Sequence, residues 1–474
     1  MAALDTYRPD PVYPAIGESF YDPVKAADFP RLMLRFRNQR WAERLGLGAL
    51  SEDEWIAHFG RFTPLPGNLP SPLAMRYHGH QFRVYNPDIG DGRGFLFAQL
   101  RDPVDGRLLD LGTKGSGQTP YSRFGDGRLT LKGGVREALI TALLEALGVS
   151  TSMTFSLIET GEQLYRNDEP SPTRSSVLVR LSHSHIRFGT FQRHAFERSE
   201  ERLSRLVDHC VEYYHPELLE IQGEARVAAF VNAVSERSAA LVASWMAAGF
   251  VHGVLNTDNM NVTGESFDYG PYRMLPFFDP AFTAAYFDET GLYAFGRQPE
   301  TVFWNLKQLA GALSLVCSKD LLVAALESFP TVYQHALRDK IFWRLGLVPK
   351  YFDADVAFID TLFVWLNKAE APFEQFFFDW HGGDEARAAR SPSQALYARD
   401  DFAPVRTSMK GYAAAAPERL AHPYFAREKP TTLLIDEIES LWGKIAEADD
   451  WSALHAKLED IELMRQALHG RDAF

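Results

Sequence analysis

Cysteine is nearly absent from this chain of 474 residues, which contains only Cys210 and Cys317. The two lie far apart, and neither belongs to a CxxC or Cys/His pair. Disulfide frameworks and structural zinc sites both need several ligands at short spacings. The sequence therefore indicates neither, and it fits a reducing compartment.

A surplus of positive charge is also missing, because 62 acidic residues outnumber 49 Lys and Arg and give a formal net charge of −13. Broad binding of a nucleic-acid backbone needs the opposite balance. We therefore expect no nucleic-acid partner, although a local basic pocket is compatible with this composition.

Hydrophobic runs that could cross a bilayer are lacking as well. Residues 309–317 form one of the longest apolar runs, which is too short to span a membrane. The segment MAALDTYRPDPVYPAIGESF has neither the regions of a signal peptide nor the Arg-rich pattern of a transit peptide. We expect a soluble, cytoplasmic protein with no membrane partner.

The residues that are present change in pattern along the chain. Between residues 73 and 111, runs such as HQFRVYN, GFLFAQL and GRLLDLG predict antiparallel strands joined by tight turns. Apolar residues at helical spacing predict a helix over residues 135–147 that stops at Gly148. A further strand pair fits residues 151–164 and 176–181.

The chain becomes strongly helical from about residue 195. Its clearest element is residues 224–248, whose apolar side chains form one stripe and which ends at Gly249. The sequence thus predicts an α+β protein with a β-rich N-lobe over residues 71–190 and a helical C-lobe over residues 191–400.

Segments outside these lobes are predicted to be extensions. Residues 1–70 carry many prolines and one amphipathic stretch, residues 31–47, and we expect them to pack on the main body. Residues 401–474 are expected to form a helical C-terminal extension.

Residues suited to holding a nucleotide occur in a characteristic order. Gly90, Gly92 and Gly94 in GDGRG form a turn through which backbone amides can approach phosphates. Lys114 follows a predicted strand, and Glu137 on the next helix faces the protein, where it can position that lysine. Each signal is weak alone, because a glycine-rich turn is usually only a hairpin. Their order is that of a bilobal, protein-kinase-like fold.

The segment HGVLNTDN departs from a kinase catalytic loop at one position. In kinases an aspartate follows His-x and precedes, after four intervening residues, a metal-binding asparagine. Here His252 and Asn259 keep that spacing, but Val254 replaces the aspartate and cannot accept a proton. Asp258 could act as the base instead, and the plainer alternative is that it caps the loop or ligates metal.

Three further charged residues fit the same chemistry. Asp268 in DYG corresponds to the Mg²⁺-binding aspartate of a kinase DFG motif, although a simple turn would explain it equally well. Arg180 and Arg187 could neutralise a phosphate chain with fixed guanidinium groups. Taken singly, each is better explained as a surface arginine.

Together these residues resemble the selenoprotein O family, a kinase-like group of protein adenylyltransferases. The strings that carry the resemblance are PLAMRYHGHQF, GTKGSGQTPYSRFGDGR, HIRFG, and HGVLNTDNMN followed by DYGPY. The resemblance is strong from about residue 70 to residue 310, and we expect a poor match from about residue 400 onward.

The resemblance implies that ATP binds in a flipped orientation and that AMP is transferred to Ser, Thr or Tyr hydroxyls of other proteins, and of the protein itself. It implies Asp258 as the base, with Asn259 and Asp268 as ligands of Mg²⁺ or Mn²⁺. The implied nucleotide contacts, with Glu137 in support, are Gly90, Gly92, Arg93, Lys114, Asp126, Gly127, Arg180, Arg187 and Asp268.

Alternatives to AMP transfer remain open at the level of sequence. They are transfer of UMP from UTP with Mn²⁺, conventional phosphotransfer despite Val254, and an inactive pseudokinase scaffold that only binds ATP.

Overall fold

The computed structural model describes residues 6–167 and 169–470. It is an α+β protein whose named strands pair antiparallel. The strands are β1 Tyr21–Pro23, β2 Met33–Arg37, β3 Leu73–Met75, β4 Gly79–Gln81, β5 Val84–Asn86, β6 Leu96–Arg101, β7 Leu108–Lys114, β8 Leu129–Thr130, β9 Met153–Leu164, β10 Thr173–Ser182, β11 Phe250–Val251 and β12 Arg273–Met274.

Helices dominate the second half of the chain. They are α1 Gln39–Arg44, α2 Glu52–Phe59, α3 Leu131–Ala146, α4 Phe188–Phe196, α5 Glu200–Tyr214, α6 Gly223–Ala248, α7 Gln298–Leu313, α8 Lys319–Ala324, α9 Phe329–Leu345, α10 Phe352–Ala369, α11 Phe373–Asp379, α12 Glu385–Ala388, α13 Gln394–Tyr397, α14 Ala403–Met409, α15 Ile435–Ala448 and α16 Ser452–His469.

The main sheet has eight strands in the order β1-β3-β6-β7-β10-β9-β2, and β8 also pairs with β10. Both edge strands therefore come from the N-terminal 70 residues. The amphipathic stretch at residues 31–47 forms strand β2, which pairs with β9, and then helix α1. Because an edge strand shields the backbone groups of its neighbour, this segment completes the sheet as well as packing on it.

The run HQFRVYN is a correction to the sequence-based interpretation. It was predicted as one strand, but it folds into a separate two-stranded hairpin, β4–β5. Phe82 and Arg83 form the turn with φ of 50° and 63°. Phe and Arg rarely adopt the left-handed region, so the amino-acid sequence of this segment does not indicate a turn.

The two helices that matter most for the site were predicted from sequence, and the structure confirms both. Helix α3 begins a few residues earlier than expected, because the Thr130 side chain accepts a hydrogen bond from the Gly133 amide and caps it. Helix α6 ends at Gly249, which has a left-handed φ of 67°. That ending delivers the chain through β11 into the loop at residues 252–259.

A continuous apolar core lies between the sheet and the helices. Leu139 and Leu143 of α3 share it with Leu157 of β9 and Leu178 of β10. Helix α16 packs on α3 from the C-terminal part of the chain. This packing fixes α3, and with it Glu137, against the sheet.

Within the part of the chain that the structure describes, no helix combines the length and apolarity required to span a membrane.

Candidate nucleotide site

A cavity of about 700 Å³ opens where the ends of β7 and β10 meet the loops that follow β5, β7 and α6. Its lining is rich in charge. The charged residues are Asp91, Arg93, Lys114, Arg123, Asp126, Arg128, Arg166, Arg180, Arg187, Asp258 and Asp268. Six arginines and a lysine face four aspartates, so this cavity attracts anions although the chain as a whole is acidic.

Lys114 lies at the inner end of this cavity and is buried. Its Nζ is 2.7 Å from Oε2 of Glu137 on helix α3 and 3.0 Å from Oδ1 of Asp268. The structure therefore brings together three residues that are separated by up to 154 positions (268 − 114) in the sequence. A buried lysine held by two carboxylates is a fixed positive charge for a phosphate.

Strand register explains why Arg180 joins Lys114. Arg180 on β10 lies opposite Gly112 on β7, two residues before Lys114, so both side chains project from the same face of the sheet. Nη1 of Arg180 is 3.2 Å from Oδ1 of Asp268 and 3.7 Å from Oε1 of Glu137. Arg180 is also buried.

Arg187, at the start of α4, is the third buried cation at this end. Its Nη1 donates to the Asp258 carbonyl at 2.9 Å and lies 3.7 Å from Oδ2 of Asp268. Its Nη2 donates to Oδ1 of Asp91 at 3.3 Å. Arg187 thus ties the turn that carries Asp258 to the glycine-rich turn.

Asp268 is the common partner of these three cations. Burial alone would raise its pKa, but Lys114, Arg180 and Arg187 outweigh burial and hold the pKa well below the usual range. Its backbone has φ of 66°, a strained conformation for a residue with a side chain. The carboxylate is therefore ionised and fixed in position.

Asp258 occupies a different electrostatic environment in the short 3₁₀ turn Thr257–Asn259. Burial raises the pKa of Asp258 to about 6, against the lowering effect of Arg187. Its Oδ1 is buried and accepts no hydrogen bond from the residues that the structure describes. A carboxylate with its pKa near neutrality and a free lone pair is suited to accept a proton.

Asn259 follows Asp258 directly and is partly buried. Its amide N–H donates to the Asn256 carbonyl at 3.0 Å, which closes the turn. Among the residues described, the lining of the cavity includes Asp258 and Asp268 but not Asn259. Its assignment as a metal ligand stays a prediction.

The donor set fits a divalent cation held together with a nucleotide. No group of three or more His, Cys, Asp or Glu side chains in residues 6–167 and 169–470 is arranged to hold a metal ion by itself. Asp258 and Asp268 nevertheless line one cavity, and Oδ1 of Asp258 is unsatisfied. Mg²⁺ is commonly held by one or two carboxylates, with the remaining oxygens supplied by phosphates and water.

The glycine-rich turn is covered by the loop at residues 117–127. A side chain at Gly90 would meet the Tyr121 ring at 2.5 Å, and one at Gly92 would meet the Tyr121 carbonyl at 2.9 Å. Ser122 Oγ donates to the Gly92 carbonyl at 2.5 Å. The glycines are needed because the Tyr121 ring lies against one of them and the Tyr121 backbone against the other.

The remaining predicted contacts lie at the outer end of the cavity. Arg93 and Asp126 are exposed, and Gly127 is buried with φ of 70°. The Asp126 carboxylate accepts two hydrogen bonds from Arg166, at 2.8 Å and 3.1 Å. The predicted residues therefore include three buried cations, Lys114, Arg180 and Arg187, and two exposed charged residues, Arg93 and Asp126.

Several lining residues were not singled out from the sequence. Asp91 stands inside the GDGRG motif, so its position beside the glycines was an available signal. Tyr77, Gln81 and Phe124 lie in the strings that carry the family resemblance, but no contact was assigned to them, and Tyr165 lies outside those strings. They reach the cavity only through tertiary packing.

Comparisons with known proteins show the family to which the chain belongs. The family described as protein adenylyltransferase SelO matches residues 5–462. The chain is 43% identical over 471 residues to the protein nucleotidyltransferase YdiU of Synechocystis sp., covering 96% of this chain and 97% of that protein. The proteins of the same name from Trichormus variabilis and Myxococcus xanthus are 41% and 34% identical, and the matches cover 97% and 95% of this chain and 96% and 92% of those proteins.

The match is longer than the sequence strings suggested. The expectation of a poor match beyond residue 400 was wrong, because the family match continues to residue 462. Short strings overlook similarity that is spread along helices, where many residues can fill the same position. The resemblance seen in the sequence is confirmed, and the chain belongs to the SelO family of protein nucleotidyltransferases.

Proposed function

We propose that this protein transfers AMP from ATP to Ser, Thr or Tyr hydroxyls of protein substrates, including its own, and does so with a bilobal kinase-like architecture. ATP binds in the flipped orientation, with its phosphate tail at the buried end of the cavity. The nucleotide contacts are those inferred from the sequence, from Gly90 through to Asp268.

One observation carries this proposal. Three buried cations, Lys114, Arg180 and Arg187, converge on Asp268, whereas Val254 offers no carboxylate at the usual position of a kinase base. Cations at the buried end favour the terminal phosphates there, so the α-phosphate lies further out. Asp258 is the remaining buried carboxylate of the cavity that is free to act on an acceptor.

The chemical roles of the side chains follow from these positions. Asp258 takes the proton of the acceptor hydroxyl while the hydroxyl oxygen forms a bond to the α-phosphorus. The bond between the α-phosphorus and the oxygen that bridges to the β-phosphorus breaks, and pyrophosphate leaves. Lys114 and the two arginines stabilise the negative charge that develops on the departing pyrophosphate. Glu137 holds Lys114 in place.

Asn259 and Asp268, with Asp258 beside them, would hold Mg²⁺ or Mn²⁺. Such an ion neutralises phosphate oxygens and orients them for in-line attack.

The position of a radioactive label tests the reaction type. The protein is incubated with a generic acceptor protein and ATP labelled at either the α- or the γ-phosphate. We expect label on protein from the α-phosphate only. Label from the γ-phosphate alone would overturn the proposal in favour of phosphotransfer, and label from neither would favour an inactive scaffold.

Nucleotide choice is tested with the same assay. Parallel reactions with α-labelled ATP and UTP, each with Mg²⁺ or Mn²⁺, separate AMP transfer from UMP transfer. If UTP reacted faster than ATP with both Mg²⁺ and Mn²⁺, UMP would replace AMP in the proposal and the roles of the residues would stay the same.

A further inference from the structure

Two aromatic side chains stand uncovered at the outer end of the nucleotide cavity. Phe124 is fully exposed and Tyr165 is 76% exposed, yet both line this cavity. They come from different segments, the loop after β7 and the end of β9. One exposed aromatic side chain is ordinary, but two at the opening of one charged cavity indicate a role in contact with a ligand.

An ion pair brings the two segments together. Arg166, next to Tyr165, binds both carboxylate oxygens of Asp126, which lies two residues after Phe124. Both members of this pair line the cavity as well. A bidentate pair restricts geometry more than a single contact does, so it holds the two aromatic segments beside the same opening.

The loop that carries Phe124 is also fixed at its base. Thr119 Oγ1 donates to the Asp91 carbonyl at 2.5 Å, and the Gly117 amide donates to the Gly127 carbonyl at 3.1 Å. These bonds join the loop to the glycine-rich turn and to itself. A ring presented by an anchored loop loses less conformational entropy on binding than a ring on a free loop.

We propose that Phe124 and Tyr165 form a stacking platform for the base of the bound nucleotide. The inference rests on the proposed function, because the flipped orientation places the triphosphate at Lys114, Arg180 and Arg187 and leaves the nucleoside at the exposed end.

The platform recognises the face of the base. Every base offers a π-face, so stacking tolerates purines and pyrimidines alike, and the larger purine gains more contact area. ATP therefore binds more tightly than UTP because of ring area and not because of hydrogen bonds to base edges.

Binding measurements on the full-length protein test the platform without any transfer step. Dissociation constants for ATP, UTP and inorganic tripolyphosphate are measured by calorimetry for the wild type and for the double variant Phe124→Ala/Tyr165→Ala. We expect the constant for ATP to rise about tenfold, from the energy of base–aromatic stacking. The constant for UTP should rise less, and that for tripolyphosphate should stay within about twofold because it lacks a base.

Matched variants isolate the aromatic ring. Phe124→Tyr and Tyr165→Phe keep a ring and should bind ATP as the wild type does, whereas Phe124→Leu keeps apolar bulk only and should not. Tyr351→Ala removes an equally exposed tyrosine, 78% exposed, that does not line the cavity and should change nothing.

Two results would overturn the platform: an unchanged dissociation constant for ATP in the double variant, or an equal loss of affinity for tripolyphosphate. The result of these binding measurements can be distinguished from the result of the transfer assays that test the proposed function. A protein that transfers no AMP, but loses ATP affinity as described, would refute the proposed transfer and leave the platform standing.

Discussion

Two aspartates of the same cavity have pKa values that are shifted in opposite directions. Asp268 is held ionised by Lys114 and Arg180, whereas burial raises the pKa of Asp258 to about 6. Pairs of carboxylates whose pKa values are driven apart commonly divide their tasks. Here the fixed anion suits a metal ligand, and the one near neutrality suits a base. Val254, at the usual base position, can do neither.

Replacing Asp258 by Ala is expected to lower the rate of AMP transfer at least about 100-fold, since general bases contribute roughly that much. The dissociation constant for ATP should change by no more than about threefold, because the cations that hold phosphate are Lys114, Arg180 and Arg187. Rates from α-labelled ATP and binding by calorimetry check both parts.

Asp258→Asn is the matched control, because it keeps the size of the side chain but cannot accept the proton. It should be as inactive as Asp258→Ala. If affinity for ATP with metal fell as far as the rate did, Asp258 would belong to the metal shell and not to the proton-transfer step.

At the scale of elements, the hairpin β4–β5 supports the turn that carries Asp258. The His80 amide donates to Thr257 Oγ1 at 2.7 Å, and the Phe82 amide donates to Asn256 Oδ1 at 3.1 Å. Thr257 Oγ1 in turn donates to Gln192 Oε1 on α4 at 2.6 Å. The hairpin and α4 therefore fix the turn from two sides.

Thr257→Val keeps the shape of this buried side chain but removes its hydroxyl, which leaves the His80 amide and the side-chain Oε1 of Gln192 without that partner. We expect a loss of about 1–3 kcal/mol in the free energy of unfolding. The turnover number should fall while KM for ATP stays close to that of the wild type, because the turn positions Asp258 and does not hold phosphate.

Thr257→Ser restores the hydroxyl and should recover both stability and turnover. Urea denaturation and steady-state kinetics measure the two effects. Equal turnover in Thr257→Val and the wild type would show that the hairpin has no part in positioning Asp258.

Across the whole molecule, one buried carboxylate joins the two ends of the chain to the sheet. Glu159 on β9 accepts hydrogen bonds from Arg35 on β2 at 2.7 Å and from two nitrogens of Arg174 on β10 at 2.7 Å. Arg174 also donates to Asp449, between α15 and α16, at 2.6 Å. This network holds β2 and the C-terminal helices to the sheet.

Glu159→Ala leaves two partly buried arginines with Asp449 as their remaining carboxylate, so the free energy of unfolding should fall by about 1–3 kcal/mol. Urea denaturation at pH 7 measures this loss. Glu159→Gln keeps two possible hydrogen-bond contacts with the arginines, so its free energy of unfolding should fall by less. A loss under about 1 kcal/mol for Glu159→Ala would mean that solvent compensates the arginines and that the network contributes little.

What the sequence determined by itself is the chemistry that is encoded locally. Helices α3 and α6 were predicted because their apolar spacing and the glycines that follow them act within a few residues. The order of the glycine-rich turn, Lys114, Glu137 and the loop with Val254 was likewise visible, since each motif is short. Those features were enough to indicate the family.

Tertiary structure decided the features that depend on contacts between distant residues. The register of β7 and β10 places Arg180 beside Lys114, and the packing of the turn near Asp258 sets the pKa of that carboxylate. The edge strands from residues 1–70 pair with strands far along the chain, and the left-handed turn inside HQFRVYN is held where the Phe82 amide donates to Asn256 Oδ1. Hydrophobic periodicity along the sequence does not encode contacts between distant segments. Many segments satisfy the same local pattern, and only packing in the folded molecule selects one of them as the partner.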